Sequence, residues 1–206
     1  METLFLSPIA IVIIASIVGF FMAYGIGAND VANAMGTSVG SKAITLRQAI
    51  IIAAIFEFLG AYFGGGEVTS TIRKGIVDPT IYEDANKFII GMLSSLLAAG
   101  TWLIIASRRG WPVSTTHSIV GAIIGFVSIS KGVSYVSWGT VGGIASSWVT
   151  SPVIAGFLAF LIYLSAKKSI LDSANPGGRA VKIIPIYSFY VAFIISLVIA
   201  RKGLKN

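Results

Sequence analysis

The 206-residue sequence contains no cysteine and only one histidine, His117. The lack of cysteine excludes disulfides, iron–sulfur clusters and thiolate metal sites within this sequence. A single histidine cannot build a multi-histidine metal site by itself. The chemistry available to the chain is therefore that of carboxylates, amides, hydroxyls and backbone groups.

Charge is also scarce, because charged residues make up 11% of the chain, against roughly 25% in soluble domains. Hydrophobic residues make up 55%, and the mean hydropathy is +0.88. This composition predicts an all-α, polytopic protein of the cell membrane with one transmembrane domain, 1–206. The net charge of +7 comes from basic residues in short loops, which fits membrane topology and anionic lipids better than nucleic acid.

Runs of apolar residues predict the membrane spans, since about 20 such residues cross a bilayer. The expected spans are about 4–24, 46–66, 88–107, 150–166 and 183–200, with Pro152 starting or breaking the fourth. Basic residues at Lys42/Arg47 and Arg108/Arg109 place two loops on one cytoplasmic side. The last third of the topology stays open, because 167–168 and the basic C-terminus are separated by a single span.

A polar stretch at 25–34 follows the first apolar run directly and should lie at membrane depth. Asn29 and Asn33 are four residues apart and share a helix face, with Asp30 beside it. A carboxylate and two amides at this depth favour a site for Na+ or a proton. Gly25 and Gly27 favour a discontinuous helix, unwound there so that backbone carbonyls also face an ion. The alternative is a tight turn at the membrane surface.

The segment 111–149 predicts a re-entrant hairpin. Its first arm is polar at the start and too short for a tilted span, and 130–137 would hold the turn before the return arm 138–148. Such segments occur at membrane depth only when they are buried in protein or line a cavity.

The sequence from Pro112 to His117 is typical of a helix start, where proline and a Ser or Thr cap are favoured. Free amides and the hydroxyls of Ser114, Thr115 and Thr116 would form an anion site at this end. Ordinary capping at the membrane surface is the alternative. Ser114 and His117 do not indicate an enzyme, because a triad needs an orienting acid and an oxyanion hole, and no G-x-S-x-G motif is present.

Glu57 is a second acid inside an expected span. It would complete the cation site or carry a coupling proton, or else pair with a basic or amide group of the bundle. Arg73 and Lys74 would draw anions to the outer mouth, or else lie solvated in a loop.

Several motifs together resemble the inorganic phosphate transporter (PiT) family. They are Gly27–Ala34, Thr45–Ala49, Phe56–Glu57, Thr71–Ile76 and Pro112–Gly121. The resemblance covers 25 to about 126. The motifs at Phe56–Glu57 and Thr71–Ile76 resemble the sodium-coupled branch more than the proton-coupled bacterial one.

The resemblance implies uptake of inorganic phosphate driven by Na+, or by H+ in some members, through alternating access. It implies that Asn29, Asp30, Asn33 and Glu57 serve the coupling cation, and that Ser114, Thr115 and Thr116 serve phosphate. It also implies two homologous halves in inverted orientation. No organic cofactor is implied.

The sequence departs from the family in having one Asn-Asp-Val-Ala-Asn motif and one Ser-Thr-Thr-His, and Met92 where some members carry a carboxylate. The chain therefore resembles an N-terminal half whose partner is a homologous half, on the same or a separate chain, or a second copy in a homo-oligomer. A carrier for sulfate or arsenate and a non-transporting membrane subunit are the alternatives, and an ion channel fits less well.

Overall fold

The structure is a computed structural model that describes residues 7–203, without the side chains of 64–74, 199, 202 and 203. The described residues contain helices and turns and no strand, which confirms the all-α prediction. The helices are α1 Pro8–Gly40, α2 Leu46–Gly75, α3 Ala85–Arg108, α4 Thr115–Ser130, α5 Trp138–Ala166 and α6 Pro176–Gly203. Two compact units are present: Met1–Tyr62 with Thr69–Trp138, and Phe63–Val68 with Gly139–Asn206.

Five of the described segments are long and apolar enough to cross a membrane. They are Pro8–Gly40, Leu46–Phe63, Ala85–Arg108, Trp138–Leu171 and Pro176–Val198. Helix α4 is apolar but has only 16 residues, so its length of about 24 Å is less than the roughly 30 Å of a hydrocarbon core. The multi-pass membrane architecture is confirmed, and the re-entrant character of 111–149 stays a prediction.

The sequence at the ends of α1 and α2 explains where these helices begin and end. Ser7 caps α1 by accepting a hydrogen bond from the Ala10 amide at 3.2 Å, and Pro8 takes the first helical position. After α1, Lys42 adopts a left-handed φ of 61°, a conformation that closes a helix C-terminus. Thr45 and Gln48 then form a reciprocal capping box that starts α2.

In the first unit, α1 and α3 pack closely and run parallel. A Cβ added to Gly25 would lie 3.1 Å from Leu103 Cβ, and one on Gly100 would lie 3.1 Å from Met22 Cα. The next contact along both helices joins Asn29 to Ser107. Small residues at such a crossing let two backbones approach, which is how helices associate in a membrane.

Helix α4 returns antiparallel along α3. Ser95 is buried and donates a hydrogen bond to the Ala122 carbonyl at 3.3 Å, besides its bond within α3. The Phe126 ring occupies the space beside Gly91, where a Cβ would collide with it. Because α1 and α4 both pack on α3, the stretch 29–30 and the start of α4 come to the same end of α3.

The connector between α2 and α3 closes the opposite end of this packing. Ile76 is fully buried, and its carbonyl accepts a hydrogen bond from the Ser137 amide at 3.2 Å. The Tyr82 hydroxyl lies 2.6 Å from Ser130 Oγ, and its ring stacks on Phe126 at 5.5 Å between centroids. The end of α4 is thus fixed by the connector.

The second unit contains most of α5 and α6. Ser165 Oγ lies 2.7 Å from the Tyr187 hydroxyl, and Lys167 forms an ion pair with Asp172 at 3.1 Å. Asn175 caps α6 by accepting a hydrogen bond from the Gly178 amide at 3.0 Å. Apart from these polar contacts, the described side chains of α5 and α6 are largely exposed and apolar, as expected of surfaces that face lipid.

Several expected element boundaries are wrong. Helix α1 runs through Gly25 and Gly27 without unwinding, because Gly25 serves close packing against α3 and a single glycine is tolerated in a helix. Helix α2 extends to Gly75, so the connector begins later than expected. The side chains of Arg73 and Lys74 lie outside the described residues.

Two boundaries near prolines are also wrong. Helix α5 includes Pro152, so 138–148 and 150–166 lie in one continuous helix rather than in two separate elements. Helix α6 begins at Pro176 rather than near Ile183, because the proline takes the first helical position after the Asn175 cap.

Candidate functional site

The candidate site begins where α3 ends. Gly110 adopts a φ of +68°, its amide donates to the Ser107 carbonyl at 3.1 Å, and the Trp111 amide donates to the Ala106 carbonyl at 2.9 Å. These two bonds form a Schellman motif, which requires a left-handed residue that glycine supplies without strain. The chain reverses here, and Pro112 follows.

Asn29 holds this turn from α1. Its side chain is only 5% exposed, and its Nδ2 donates to the Trp111 carbonyl at 3.0 Å and to Ser107 Oγ at 3.3 Å. Its Oδ1 accepts a hydrogen bond from the Val113 amide at 3.2 Å. The amide thus uses both ends on the segment that precedes α4.

Asp30 lies next to the first residue of α4. The Thr115 hydroxyl donates to Asp30 Oδ2 at 3.4 Å, a long hydrogen bond between two half-buried side chains. Thr115 is the first helical residue after the Ser114 cap. The carboxylate and the start of α4, 85 positions apart in sequence, are therefore brought together in one cluster.

The N-terminus of α4 is capped by its own sequence. Ser114 has an extended backbone, and its Oγ accepts a hydrogen bond from the His117 amide at 3.3 Å. The amides of Thr115 and Thr116 have no acceptor within the helix, since the first N–H groups of any helix lack an intrahelical partner. They carry the positive end of the helix dipole, which favours an anion.

A cavity of about 420 Å³ opens beside this helix end. Its lining combines an indole, an imidazole and two hydroxyls with the proline turn, and comprises Trp102, Pro112, Val113, Ser114, His117 and Ser118. Trp111 stands near its wall, with its ring 6.2 Å from that of Trp102 and with the Arg109 guanidinium 5.1 Å above it.

The other residues predicted for the site are not drawn into this cluster. Asn33 lies one turn beyond Asn29 on α1 and is exposed, and Glu57 is exposed on α2. No hydrogen bond joins either side chain to the cluster among the residues that the structure describes. Ser114 and Thr116 are exposed at the start of α4.

The sequence-based selection missed residues that shape the site. Ser107 was not singled out, although it is a hydroxyl that follows the apolar stretch 102–106 at the end of α3, and this position was a usable signal. Trp102 and Ser118 line the cavity. They become visible only when the antiparallel packing of α3 and α4 is known.

Comparisons with known proteins place this geometry in a family. The model of the phosphate transporter family matches residues 26–206. A putative phosphate permease of Haemophilus influenzae is 53% identical over 194 residues, covering 94% of this chain and 46% of that protein. The chloroplastic inorganic phosphate transporter 2-1 of Arabidopsis thaliana is 49% identical over 172 residues, which are 83% of this chain and 29% of that protein.

A solved structure described as the sodium-dependent phosphate transporter has a similar fold. The TM-score is 0.88 and the identity 44%, over 96% of this chain and 49% of that one. The chain thus spans less than half the length of each of these three relatives.

The fold and these matches define a multi-pass integral membrane protein of the transporter class. The chain belongs to the phosphate transporter family. The resemblance stated from the motifs is confirmed.

Proposed function

We propose that this chain forms part of a secondary carrier that moves inorganic phosphate together with Na+ by alternating access, and that it has no enzymatic role. The observation that carries the proposal is the 3.4 Å contact between Asp30 and Thr115. It joins a carboxylate on an apolar helix to a helix end that favours anions. The family match and the sodium-dependent relative support the choice of phosphate and sodium.

The phosphate is proposed to bind at the start of α4. The hydroxyls of Ser114, Thr115 and Thr116 and the first free amides of the helix offer donors to several oxyanion oxygens at once. Two of these hydroxyls, on Ser114 and Thr116, are exposed and therefore accessible to an incoming anion.

The sodium ion is a transported substrate, and Asp30 is proposed as its main ligand. Na+ prefers hard oxygens, which a carboxylate and the neighbouring Thr115 hydroxyl supply. The family resemblance adds Asn29, Asn33 and Glu57 to this cation set. A cation beside Asp30 would also offset the charge repulsion between this carboxylate and a phosphate at the end of α4.

The proposed site is completed by another homologous half, either on the same polypeptide or on a separate chain, with a homo-oligomer as a further arrangement. The exposure of Asn33, Glu57 and Thr116 supports this, because such groups are costly beside lipid unless protein or a water-filled cavity covers them. Residues 1–206 would form one transmembrane domain, with 111–149 as a re-entrant hairpin. Membrane lipids would contact the apolar outer faces.

Labelled-phosphate uptake into proteoliposomes containing the whole transporter tests this function. We expect uptake to need an inward sodium gradient and to fall at least tenfold in Asp30→Asn, which keeps the shape but removes the charge. Asp172→Asn is the matched control, since Asp172 is exposed and pairs with Lys167 in the second unit. Uptake that ignores the sodium gradient, or that survives Asp30→Asn, would contradict the assignment.

The same preparation separates the alternative functions. Sulfate or arsenate that competes better than phosphate would identify a different oxyanion. Uptake driven by a proton gradient without sodium would identify proton coupling. Saturable uptake with a fixed ion ratio indicates a carrier rather than a channel.

A further inference from the structure

Asn29 uses nearly all of its hydrogen-bonding capacity on one short segment of the chain. An asparagine amide offers two N–H donors and one oxygen with two lone pairs. Both donors are engaged, one on the Trp111 carbonyl and one on Ser107 Oγ, and the oxygen accepts the Val113 amide. The side chain is also 95% buried, since 5% of it is exposed.

Two of the groups that Asn29 binds are backbone groups that take part in no helix hydrogen bond. Pro112 has no N–H, and it separates the end of α3 from the start of α4. The Trp111 carbonyl and the Val113 amide on either side of it are therefore outside both helices. An unpaired backbone group away from water costs a substantial part of a hydrogen bond, and more so in a membrane. Asn29 therefore fixes the path of 111–113 against α1.

This segment carries the anion-binding end of the proposed site. Val113 immediately precedes the Ser114 cap, and Asp30 immediately follows Asn29 in α1. The three bonds of Asn29 therefore set the distance between the Asp30 carboxylate and the first turn of α4. On the basis of the function proposed above, we propose that Asn29 is a positioning residue, which holds the phosphate-binding helix end beside Asp30, rather than a sodium ligand.

The substitution Asn29→Asp separates these two roles. In its ionised form the new carboxyl group keeps the size and gains a hard oxygen for Na+, but it loses both donors to Trp111 and Ser107. Positioning predicts that the phosphate concentration for half-maximal uptake, measured at saturating sodium, rises about tenfold. The sodium concentration for half-maximal uptake, at saturating phosphate, should change less than twofold. A shift confined to the sodium dependence would overturn the proposal.

Protonation provides a rescue within the same variant. A neutral carboxyl group again offers an acceptor and one donor, against two donors on the amide it replaces, so the rescue is partial. The phosphate dependence of Asn29→Asp, divided by that of the wild type at each pH, should therefore recover as the pH falls. Asp30 on α1, Arg108 and Arg109 on α3 and His117 on α4 are present in both proteins, so the ratio isolates the new carboxyl group. A ratio that worsens at low pH would contradict positioning.

Hydrogen–deuterium exchange tests, independently of transport, whether the hydrogen bonds of Asn29 fix the segment 111–113. In the full transporter, Ser107→Ala removes one Asn29 contact and should speed exchange of the Val113 amide at least threefold, with a smaller rise in the phosphate requirement than in Asn29→Asp. The matched control is Ser94→Ala on the same helix, whose hydroxyl bonds within α3 to the Ile90 carbonyl.

Unchanged exchange of the Val113 amide in both Asn29→Asp and Ser107→Ala would refute the positioning role of Asn29, even if phosphate is transported. Faster exchange at Val113 in these variants, together with a wild-type protein that transports no phosphate, would instead show that the hydrogen bonds of Asn29 hold the segment while the proposed function fails. The two failures are therefore distinguishable in one set of proteins.

Discussion

Gly100 controls how closely α3 approaches α1, and the substitution Gly100→Ala measures how much this close approach contributes to the stability of the protein. An added Cβ would lie 2.9 Å from Phe21 Cδ1 and 3.1 Å from Met22 Cα. Rotation of Phe21 can relieve the first contact. The second involves backbone, so the two helices must separate by a few tenths of an ångström. Overpacking of this kind typically costs about 1–3 kcal/mol.

A matched substitution removes the intrinsic helix preference from this comparison. Alanine is favoured over glycine in a helix by about 1 kcal/mol, which partly offsets the clash. Gly19→Ala on α1 gains the same preference but meets no atom within 4 Å. The difference in stability between the two variants should therefore be about 1–3 kcal/mol, with Gly100→Ala the less stable.

Thermal unfolding in detergent, followed by tryptophan fluorescence, measures this difference. A change of 1 kcal/mol shifts the midpoint by roughly 2–4 °C in a chain of this size. A second variant, Phe21→Ala combined with Gly100→Ala, should recover only part of the loss, because the Met22 backbone contact persists. If Gly100→Ala and Gly19→Ala unfold at the same midpoint temperature, an added Cβ at the close approach of the two helices does not lower stability, and the reasoning is wrong.

Two further predictions concern the other end of the first unit. Gly91→Ala should destabilise the protein by about 1–3 kcal/mol, because the added Cβ would collide with the Phe126 ring, which stacks on Tyr82 and cannot move aside. The control in thermal melting is Gly125→Ala, whose added Cβ meets no atom within 4 Å. Hydrogen bonds from Thr80 lower the pKa of the Asp78 carboxyl group, which caps the Pro79–Ile81 turn. The stability that this cap contributes is therefore fully present above the ordinary aspartate pKa. It is lost as the pH falls through the lowered pKa of the folded protein. Pepsin cleavage within 76–84 should therefore increase below about pH 4, and should do so less in Asp78→Asn. No change in the cleavage rate across that range would contradict it.

The sequence predicted the ingredients of the site better than the shapes of the helices around them. An acid in an apolar run and a Pro-Ser-Thr-Thr helix start are local signals, and the structure brings Asp30 and Thr115 together. The end of α3 was equally readable, because a basic pair, a glycine and a proline follow one another there. The cation and phosphate roles of these residues stay predictions.

The sequence did not show whether a glycine or proline would interrupt a helix, for a physical reason. Glycine and proline are tolerated within membrane helices, because packing and neighbouring groups replace what the local sequence loses. Gly25 therefore marks a helix contact rather than an unwound point, and Pro152 lies inside α5. The role of Asn29 was hidden for a related reason: its partners are mainly backbone groups 82 and 84 positions away, which no local pattern encodes.

The hydroxyl of Ser114 has a consequence for how strongly an anion can be held. It already accepts the His117 amide, so this helix end is partly self-satisfied before any oxyanion arrives. At the His117 amide an arriving oxyanion would replace an existing acceptor, and the net gain from such an exchange is small, so binding would rest mainly on the amides of Thr115 and Thr116. In the proposed carrier, this would limit how tightly the anion is held and so favour its release on each cycle.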